Sequence, residues 1–172
     1  INPHANMTHT ESVGHISKEE VPVNRVLNRF HFIAQLISVK PTLMDGNLEK
    51  PIQQGDLCIL KSAIEDKINP RAEAIIIKTQ PNLEELKTKN YDGTNWPYLH
   101  PKTAAYIREK GIRHLLIDQP SVDKEFDDGM LLSHRAFWNY PSTLDQESTI
   151  TEFIGVPGAV SYTHLTLPTS FL

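Results

Sequence analysis

The stretch EAIIIKT, residues 73–79, places three consecutive isoleucines between a glutamate and a lysine. A short, continuous apolar run of this kind is typical of a strand at the centre of a sheet, where both faces are buried. It is preceded by GDLCIL, residues 55–60, which reads as another short strand, and by SAIEDKI, residues 62–68, which predicts a helix with Ser62 as its cap. The order strand, helix, strand predicts an α/β fold.

The same alternation continues on both sides of this run. Upstream, residues 23–30 predict a short helix, and HFIAQLISV, residues 31–39, predicts a strand buried on both faces. Downstream, HPKTAAYIREKG, residues 100–111, has Pro101 in its first turn and Gly111 at its end, which together predict a helix. Strands are also predicted at residues 112–118 and 148–154, and a short helix at residues 131–138. We therefore expect an α/β domain with a mixed sheet.

Composition narrows the class of protein. The chain has 172 residues, of which 39% are hydrophobic and 22% charged, enough for one ordinary core. A formal net charge of -4, with basic residues spread along the chain, argues against nucleic acid as a partner. No apolar run approaches the ~20 residues that a membrane span needs. The single cysteine, Cys58, reads as a small buried apolar residue. We expect a cytoplasmic protein with no nucleic-acid or membrane partner.

The two ends of the chain look unlike those of a complete domain. The chain opens on Ile1 and enters a histidine-rich segment at once, so we interpret it as a fragment, incomplete at both ends. After Val156 charged residues disappear, and the remaining residues show no hydrophobic period. VSYTHLTLPT, residues 160–169, resembles the peptide that a translated sequencing adapter would give. We therefore predict a domain over residues 1–156 and a non-native tail over residues 157–172.

The segment NPHANMTHTESVGH, residues 2–15, concentrates His4, His9, Glu11 and His15 within twelve positions. On an extended chain His9 and Glu11 point the same way, because side chains alternate with a period of two, and His15 follows through a turn. Imidazole and carboxylate groups are ligands that zinc, manganese and iron accept. The spacing therefore allows a metal site, and it equally allows a loop of exposed polar residues.

Four segments, taken in order, resemble one known family. THTESVGH, residues 8–15, resembles the H-x-G-T-H-x-D-x-P-x-H signature of the cyclase family of metal-dependent hydrolases, best known through kynurenine formamidase. IRHLLIDQPSVD, residues 112–123, resembles the family's strand that ends in a Ser-x-Asp loop. LLSHRAFW and TITEFI, residues 131–138 and 149–154, resemble its later histidine helix and glutamate strand. The resemblance implies a swivelling β/β/α fold, a divalent metal centre of one or two zinc or manganese ions, and hydrolysis of an amide or ester.

The resemblance also assigns roles to residues. His9 corresponds to a ligand of the first metal, and Glu11 stands where the family has a bridging aspartate. His15 corresponds to the catalytic acid/base. His134 corresponds to a ligand of the second metal, and Glu152 to the glutamate that bridges both ions. The implied chemistry is hydrolysis by water that a metal activates, with a histidine moving the proton to the leaving group.

Two positions depart from the family pattern. The family's first ligand histidine lies four residues before His9, where this chain has Ala5, and His4 is displaced by one position. Met7 replaces a glycine of the signature. A shift of one residue on a strand turns the side chain to the opposite face. Either His4 reaches the metal through a distorted backbone, or the protein holds a single ion, or this branch has lost hydrolysis.

The function that the resemblance implies is hydrolysis of a carbon–nitrogen bond in a small cyclic or formylated amide. Arylformamidase activity, as in tryptophan catabolism, is one form of it, and we expect a homo-oligomer. The alternative is a non-catalytic relative that binds a metal or another ligand and has a degraded first metal site. The loop pair Ser121 and Asp123 follows a strand at its expected functional end, although such a pair more often forms a turn or a helix cap. Trp96, Tyr98 and Trp138 read as core residues, although the loop of Trp96 and Tyr98 could instead line a substrate pocket.

Overall fold

The computed structural model describes residues 7–81 and 89–157, which form two sheets and three α-helices. The strands of the larger sheet are β1 (His9–Glu11), β2 (Ala34–Val39), β5 (Ala74–Thr79), β7 (His114–Ile117) and β8 (Thr149–Glu152). Their order across the sheet is β1-β8-β7-β5-β2. Strands β2, β5, β7 and β8 run parallel, and β1 pairs antiparallel with β8, so the sheet is mixed as predicted.

The isoleucine run lies at the heart of this sheet. All six residues of β5 are buried, because β2 and β7 flank it and other parts of the chain cover both faces. The prediction that β2 is buried on both faces is wrong in part. β2 is an edge strand, and Ser38 is exposed while Ile37 and Val39 are buried.

Two helices pack on one face of the larger sheet. Helix α1 (Val23–Val26) is a single turn, whereas α2 (Pro101–Glu109) and α3 (Leu132–Trp138) are longer and pack against each other. α2 begins as predicted, because Pro101 occupies its first turn and His100 caps it by accepting from the Lys102 amide at 3.1 Å. The main core lies between these helices and the sheet: Val39, Ile75, Ile77, Leu99, Ala104, Ile107, Leu115, Ile117, Phe137, Trp138 and Ile150.

The smaller sheet has the order β3-β4-β6, with β3 at Thr42–Leu43, β4 at Leu57–Ile59 and β6 at Tyr98–Leu99. A second core lies beside this sheet and contains Cys58, Trp96 and Tyr98, which were predicted to be buried.

The helix predicted at residues 62–68 is wrong. Only a short 3₁₀ helix forms there, over Lys61–Ala63, and its cap position is Leu60 rather than Ser62. The 3₁₀ helix does not continue as an α-helix, and Pro70 disfavours helical backbone at Asn69, just beyond the segment.

Two further expectations concern parts of the chain outside these elements. Among the described residues, no helix has the length and apolar character that a bilayer span requires. The predicted tail at residues 157–172 lies, apart from Pro157, outside the described residues. Pro157 itself contacts the sheet, because its carbonyl accepts a hydrogen bond from the buried Lys78 ammonium at 3.1 Å.

A buried histidine on β7 predicts a loss of stability in acid. Burial, assisted by the nearby charges of Arg29 and Arg113, lowers the pKa of His114 from 6.5 to about 4. Below about pH 6.5 the imidazole at position 114 binds a proton in the unfolded chain but not in the native chain. Its contribution to the unfolding free energy is therefore complete above about pH 6.5 and is lost as the pH falls towards 4. Between about pH 7.5 and about pH 4.5, this histidine should remove about 2.5 kcal/mol of unfolding free energy.

Urea unfolding at the two pH values, on the parent chain and on His114→Gln, measures this contribution. The substituted chain should lose less free energy on acidification than the parent, by roughly that amount. His31→Gln serves as the control, because His31 is exposed. An equal acid loss in the parent and in His114→Gln would contradict the prediction.

Candidate metal centre

The first contact of the site comes from the pairing of β1 with β8. In the register of these strands His9 lies opposite Glu152, and the His9 Nε2 atom is 3.3 Å from Glu152 Oε2. Thr10 points to the other face, where its hydroxyl lies 2.9 Å from that of Thr151. Glu11 therefore returns to the face of His9, as the alternation of side chains along a strand requires.

Glu11 is the common member of the cluster. Its Oε1 atom is 2.8 Å from His134 Nε2, and its Oε2 atom is 3.6 Å from His15 Nδ1. His134 Nε2 also lies 3.5 Å from Glu152 Oε1. Side chains from the two ends of the described chain therefore meet around one carboxylate.

His15 reaches Glu11 because the chain turns sharply after β1. A 3₁₀ helix over Val13–His15 begins at Ser12, whose hydroxyl accepts from the Gly14 amide at 3.3 Å and donates to the Val21 carbonyl. Glycine is required at position 14, since an added Cβ atom would lie 2.8 Å from the Val21 carbonyl oxygen and 3.0 Å from its nitrogen. This close approach sets the distance between β1 and the imidazole that follows it.

His134 enters the cluster from the middle of α3. It is fully enclosed, and its Nδ1 atom lies 2.7 Å from Asp123 Oδ2. Burial alone would lower the pKa of His134, but the hydrogen bonds with Asp123 and Glu11 outweigh it and raise that pKa well above 6.5. His134 therefore lies between two carboxylates, one at each ring nitrogen.

The electrostatics of the cluster suit a cation. Three buried carboxylates, those of Glu11, Asp123 and Glu152, lie around His134. Burial would raise the pKa of Glu152, but the hydrogen bond from His9, the charge of His134 and the Val122 amide lower it. The hydrogen bond with Glu152 in turn raises the pKa of His9. Buried carboxylates require a compensating positive charge, which a divalent ion bound among them would supply.

Two overlapping groups offer ligand atoms to such an ion. One is Glu11, His15 and His134, and the other is His9, Glu11 and Glu152. Within each group the ligand atoms lie within 4.8 Å of one another. Mixed imidazole and carboxylate donors are the ligand types of zinc and manganese sites. The donor set therefore fits one ion, or two ions that share Glu11.

A pocket gives access to this cluster. It has a volume of about 560 Å³, and its lining includes His9, Glu11 and His15 from the cluster together with Glu20, Val21, Pro22 and Val23. The His15 side chain is 30% exposed, whereas that of Glu11 is 5% exposed. His15 is thus the imidazole in the Glu11–His15–His134 group that solvent can reach.

Five of the six residues singled out from the sequence come together in this cluster: His9, Glu11, His15, His134 and Glu152. Their roles as metal ligands and as acid/base stay predictions. The sixth residue, His4, lies outside the described residues, as does Ala5, so the choice between them stays open.

Sequence reasoning missed one contact of the cluster. Asp123, interpreted as part of a turn or cap, does cap α3 by accepting from the Ser133 amide at 2.9 Å, but it also contacts the His134 ring. The signal available in the sequence was a Ser-x-Asp pair directly after a buried strand, where functional side chains are common in α/β proteins.

Known proteins resemble the chain at the level of family and of fold. The model of a family described as "Putative cyclase" matches residues 1–124, a range that contains His9, Glu11 and His15 and ends before His134. No curated protein matches the chain.

Solved structures are similar in fold. The structure of a potential metal-dependent hydrolase with cyclase activity has a TM-score of 0.63 and 15% sequence identity, covering 93% of this chain and 67% of its own. The structure of a predicted metal-dependent hydrolase from Bacillus stearothermophilus has a TM-score of 0.55 and 14% identity, covering 89% of this chain and 62% of its own. The chain therefore spans about two thirds of the length of these structures, and at such low identity the likeness concerns the fold.

Proposed function

The chain belongs to the cyclase family, and from that membership we propose that it is a metal-dependent hydrolase of a carbon–nitrogen bond in a small cyclic or formylated amide. The observation that carries the proposal is the pair of imidazole and carboxylate groups that share Glu11 and lie beside a pocket. Solved structures of similar fold are described as metal-dependent hydrolases, one of them with cyclase activity, which supports the same class.

The residues that would hold the metal fall into two sets. His9, Glu11 and Glu152 would hold one ion, and Glu11 with His134 would hold a second, with zinc or manganese as the candidates. A divalent ion in such a site polarises a carbonyl group and makes water a nucleophile near neutral pH.

His15 is the residue that we assign to proton transfer. It lies at the solvent side of the cluster, and Glu11 Oε2, 3.6 Å from His15 Nδ1, orients its ring. As water adds to the amide carbon, the His15 imidazole accepts a proton, and it donates that proton to the nitrogen when the carbon–nitrogen bond breaks. A histidine suits both steps because its usual pKa lies near neutral pH.

The pocket supports a small substrate. Its volume of about 560 Å³ is in the range of small-molecule sites, and Val21, Pro22 and Val23 give it an apolar wall opposite the charged cluster. A formylated arylamine, whose ring would pack on that wall, and a cyclic amide are the two substrate types that we propose.

A non-catalytic relative that binds a metal or another ligand is the second candidate. The observation that favours it is Ala5, which stands where the family has a ligand histidine. The two candidates predict the same fold and differ in turnover.

Metal analysis combined with hydrolysis assays tests the proposed function. The purified protein should bind one or two equivalents of zinc or manganese, and a metal concentration of about 100 times Kd should add about 2.7 kcal/mol to the unfolding free energy. It should hydrolyse a formylated arylamine or a cyclic imide, lose that activity to a chelator and regain it with metal. Metal binding without hydrolysis of either substrate would favour the non-catalytic candidate. Failure to bind either metal would contradict the metal-dependent hydrolase and also the metal-binding form of the second candidate.

A further inference from the structure

The Asp123 carboxylate contacts three hydrogen-bonding nitrogen atoms of α3 beside the cluster. It lies in the loop after β7 and is buried, with 4% of its surface exposed. Its Oδ1 atom accepts from the Ser133 amide at 2.9 Å. Its Oδ2 atom accepts from the His134 amide at 3.2 Å and lies 2.7 Å from the Nδ1 atom of the same residue. One carboxylate thus contacts both the start of α3 and the imidazole that α3 carries.

These contacts give the two nitrogens of His134 different surroundings. Nδ1 faces Asp123, whereas Nε2 faces Glu11 at 2.8 Å and Glu152 at 3.5 Å. A carboxylate accepts hydrogen bonds and donates none when ionised, so the Nδ1 position carries a proton. Glu11 faces Nε2 in the same way, so a divalent ion bound by Glu11 and Glu152 would displace a proton from Nε2 and take its lone pair, while the Nδ1 proton stays with Asp123.

The loop that carries Asp123 is itself held in place. The Asp123 carbonyl accepts from the Trp96 indole at 3.2 Å, and the Val122 carbonyl accepts from the Leu99 amide at 3.0 Å. The Val122 amide donates to Glu152 Oε1 at 2.7 Å. The position of Asp123 is therefore fixed against β6 and against another member of the cluster.

We propose that Asp123 is a positioning residue, which holds His134 as the Nδ1-protonated tautomer and aims its Nε2 atom at the metal. The proposal rests on the proposed function, because it assumes that His134 is a metal ligand. Hydrogen bonds of this kind to a ligand histidine fix the orientation of the ring and make the other nitrogen a better donor. Their loss typically weakens metal binding by about 10- to 100-fold.

A purely structural role is the competing explanation, because Asp123 also caps α3. Asp127 provides a matched control for that role. It is a buried aspartate that precedes the same helix, and its two oxygens accept from the amides of Gly129 at 2.9 Å and Leu131 at 2.6 Å. Its hydrogen bonds in the described structure go to the backbone of its own loop rather than to the His134 ring. Asp127→Asn thus disturbs a comparable set of backbone bonds without removing a partner of the imidazole.

Zinc titrations against a chromophoric competing chelator, on the parent chain, Asp123→Asn and Asp127→Asn, test the proposal. Asp123→Asn should weaken zinc binding by about 10- to 100-fold, whereas Asp127→Asn should change it by less than about threefold, both measured under conditions where circular dichroism shows folded protein. Equal zinc affinities in the two variants would overturn the proposal and leave Asp123 as a helix cap. Absence of zinc binding in the parent chain would instead overturn the proposed function, and this inference with it.

A second measurement needs no substitution of Asp123. Long-range proton–nitrogen NMR spectra of the zinc-loaded parent, labelled with ¹⁵N-histidine, report the tautomer of each histidine, and comparison with His134→Gln identifies the signals of His134. The proposal expects a protonated Nδ1 and a zinc-bound Nε2 for this residue. A protonated Nε2 with zinc on Nδ1 would overturn it, even if Asp123→Asn fails to fold.

Discussion

Replacing Glu11 with glutamine should weaken zinc binding by at least about 100-fold and abolish hydrolysis. Glu11 belongs to both groups of ligand atoms found among residues 7–81 and 89–157, so one substitution affects both of them. Glutamine keeps the shape of the side chain, but it removes the negative charge and replaces one acceptor oxygen by an NH₂ donor. That donor would face either His134 or His15, which contact the two oxygens of Glu11 in the parent chain.

The matched control is Glu20→Gln. Glu20 borders the same pocket and is exposed, and it belongs to neither ligand group. This variant removes the same charge from the same pocket, so it should bind zinc within about threefold of the parent if long-range charge contributes little in physiological salt. Equal zinc affinities in Glu11→Gln and Glu20→Gln would contradict the prediction, because they would show that Glu11 is not a ligand.

Replacing His15 with asparagine should lower kcat by about 10²- to 10⁴-fold while changing the affinity for zinc by less than about threefold. The reason is that, in the proposed function, His15 transfers a proton and the other residues of the cluster hold the ion. His15 could instead be a metal ligand, because its Nδ1 atom lies 3.6 Å from Glu11 and belongs to one of the two ligand groups. Steady-state kinetics and zinc titration on the same preparation separate the two roles.

The same substitution at His100 controls for loss of an imidazole. His100 caps α2 from outside the cluster, and asparagine is a good capping residue, so His100→Asn should keep both the parent kcat and the parent zinc affinity. A large loss of zinc affinity in His15→Asn, with His100→Asn unaffected, would make His15 a ligand and would leave the acid/base unassigned.

The fold could be predicted from the sequence where local signals agree with each other. The isoleucine run of β5 and the proline-to-glycine span of α2 both lie where the sequence places them. The predicted helix at residues 62–68 does not form, and Ile64 is buried from a turn instead. The edge position of β2 also escaped prediction, since strand order depends on long-range pairing that one sequence does not display.

The candidate site also contains some residues that the sequence pattern predicts and others that it does not. His9, Glu11 and His15 are close in sequence, so their spacing alone suggested a common site. His134 and Glu152 were connected with them only through resemblance to a family, because no local pattern brings α3 and β8 next to β1. The contact of Asp123 with His134 depends on the path of a loop and had no local signature beyond the Ser-x-Asp pair.

The pairing of β1 with β8 has a consequence for the order in which the protein matures. The Thr8 hydroxyl donates to the Phe153 carbonyl at 2.5 Å, a contact across 145 positions of the chain. Contacts of such long range form slowly, because the entropy of closing the intervening loop is lost before the contact is made. During synthesis His9, Glu11 and His15 therefore precede their partners in the cluster, which is complete only after Glu152 has been added and β1 has docked beside β8.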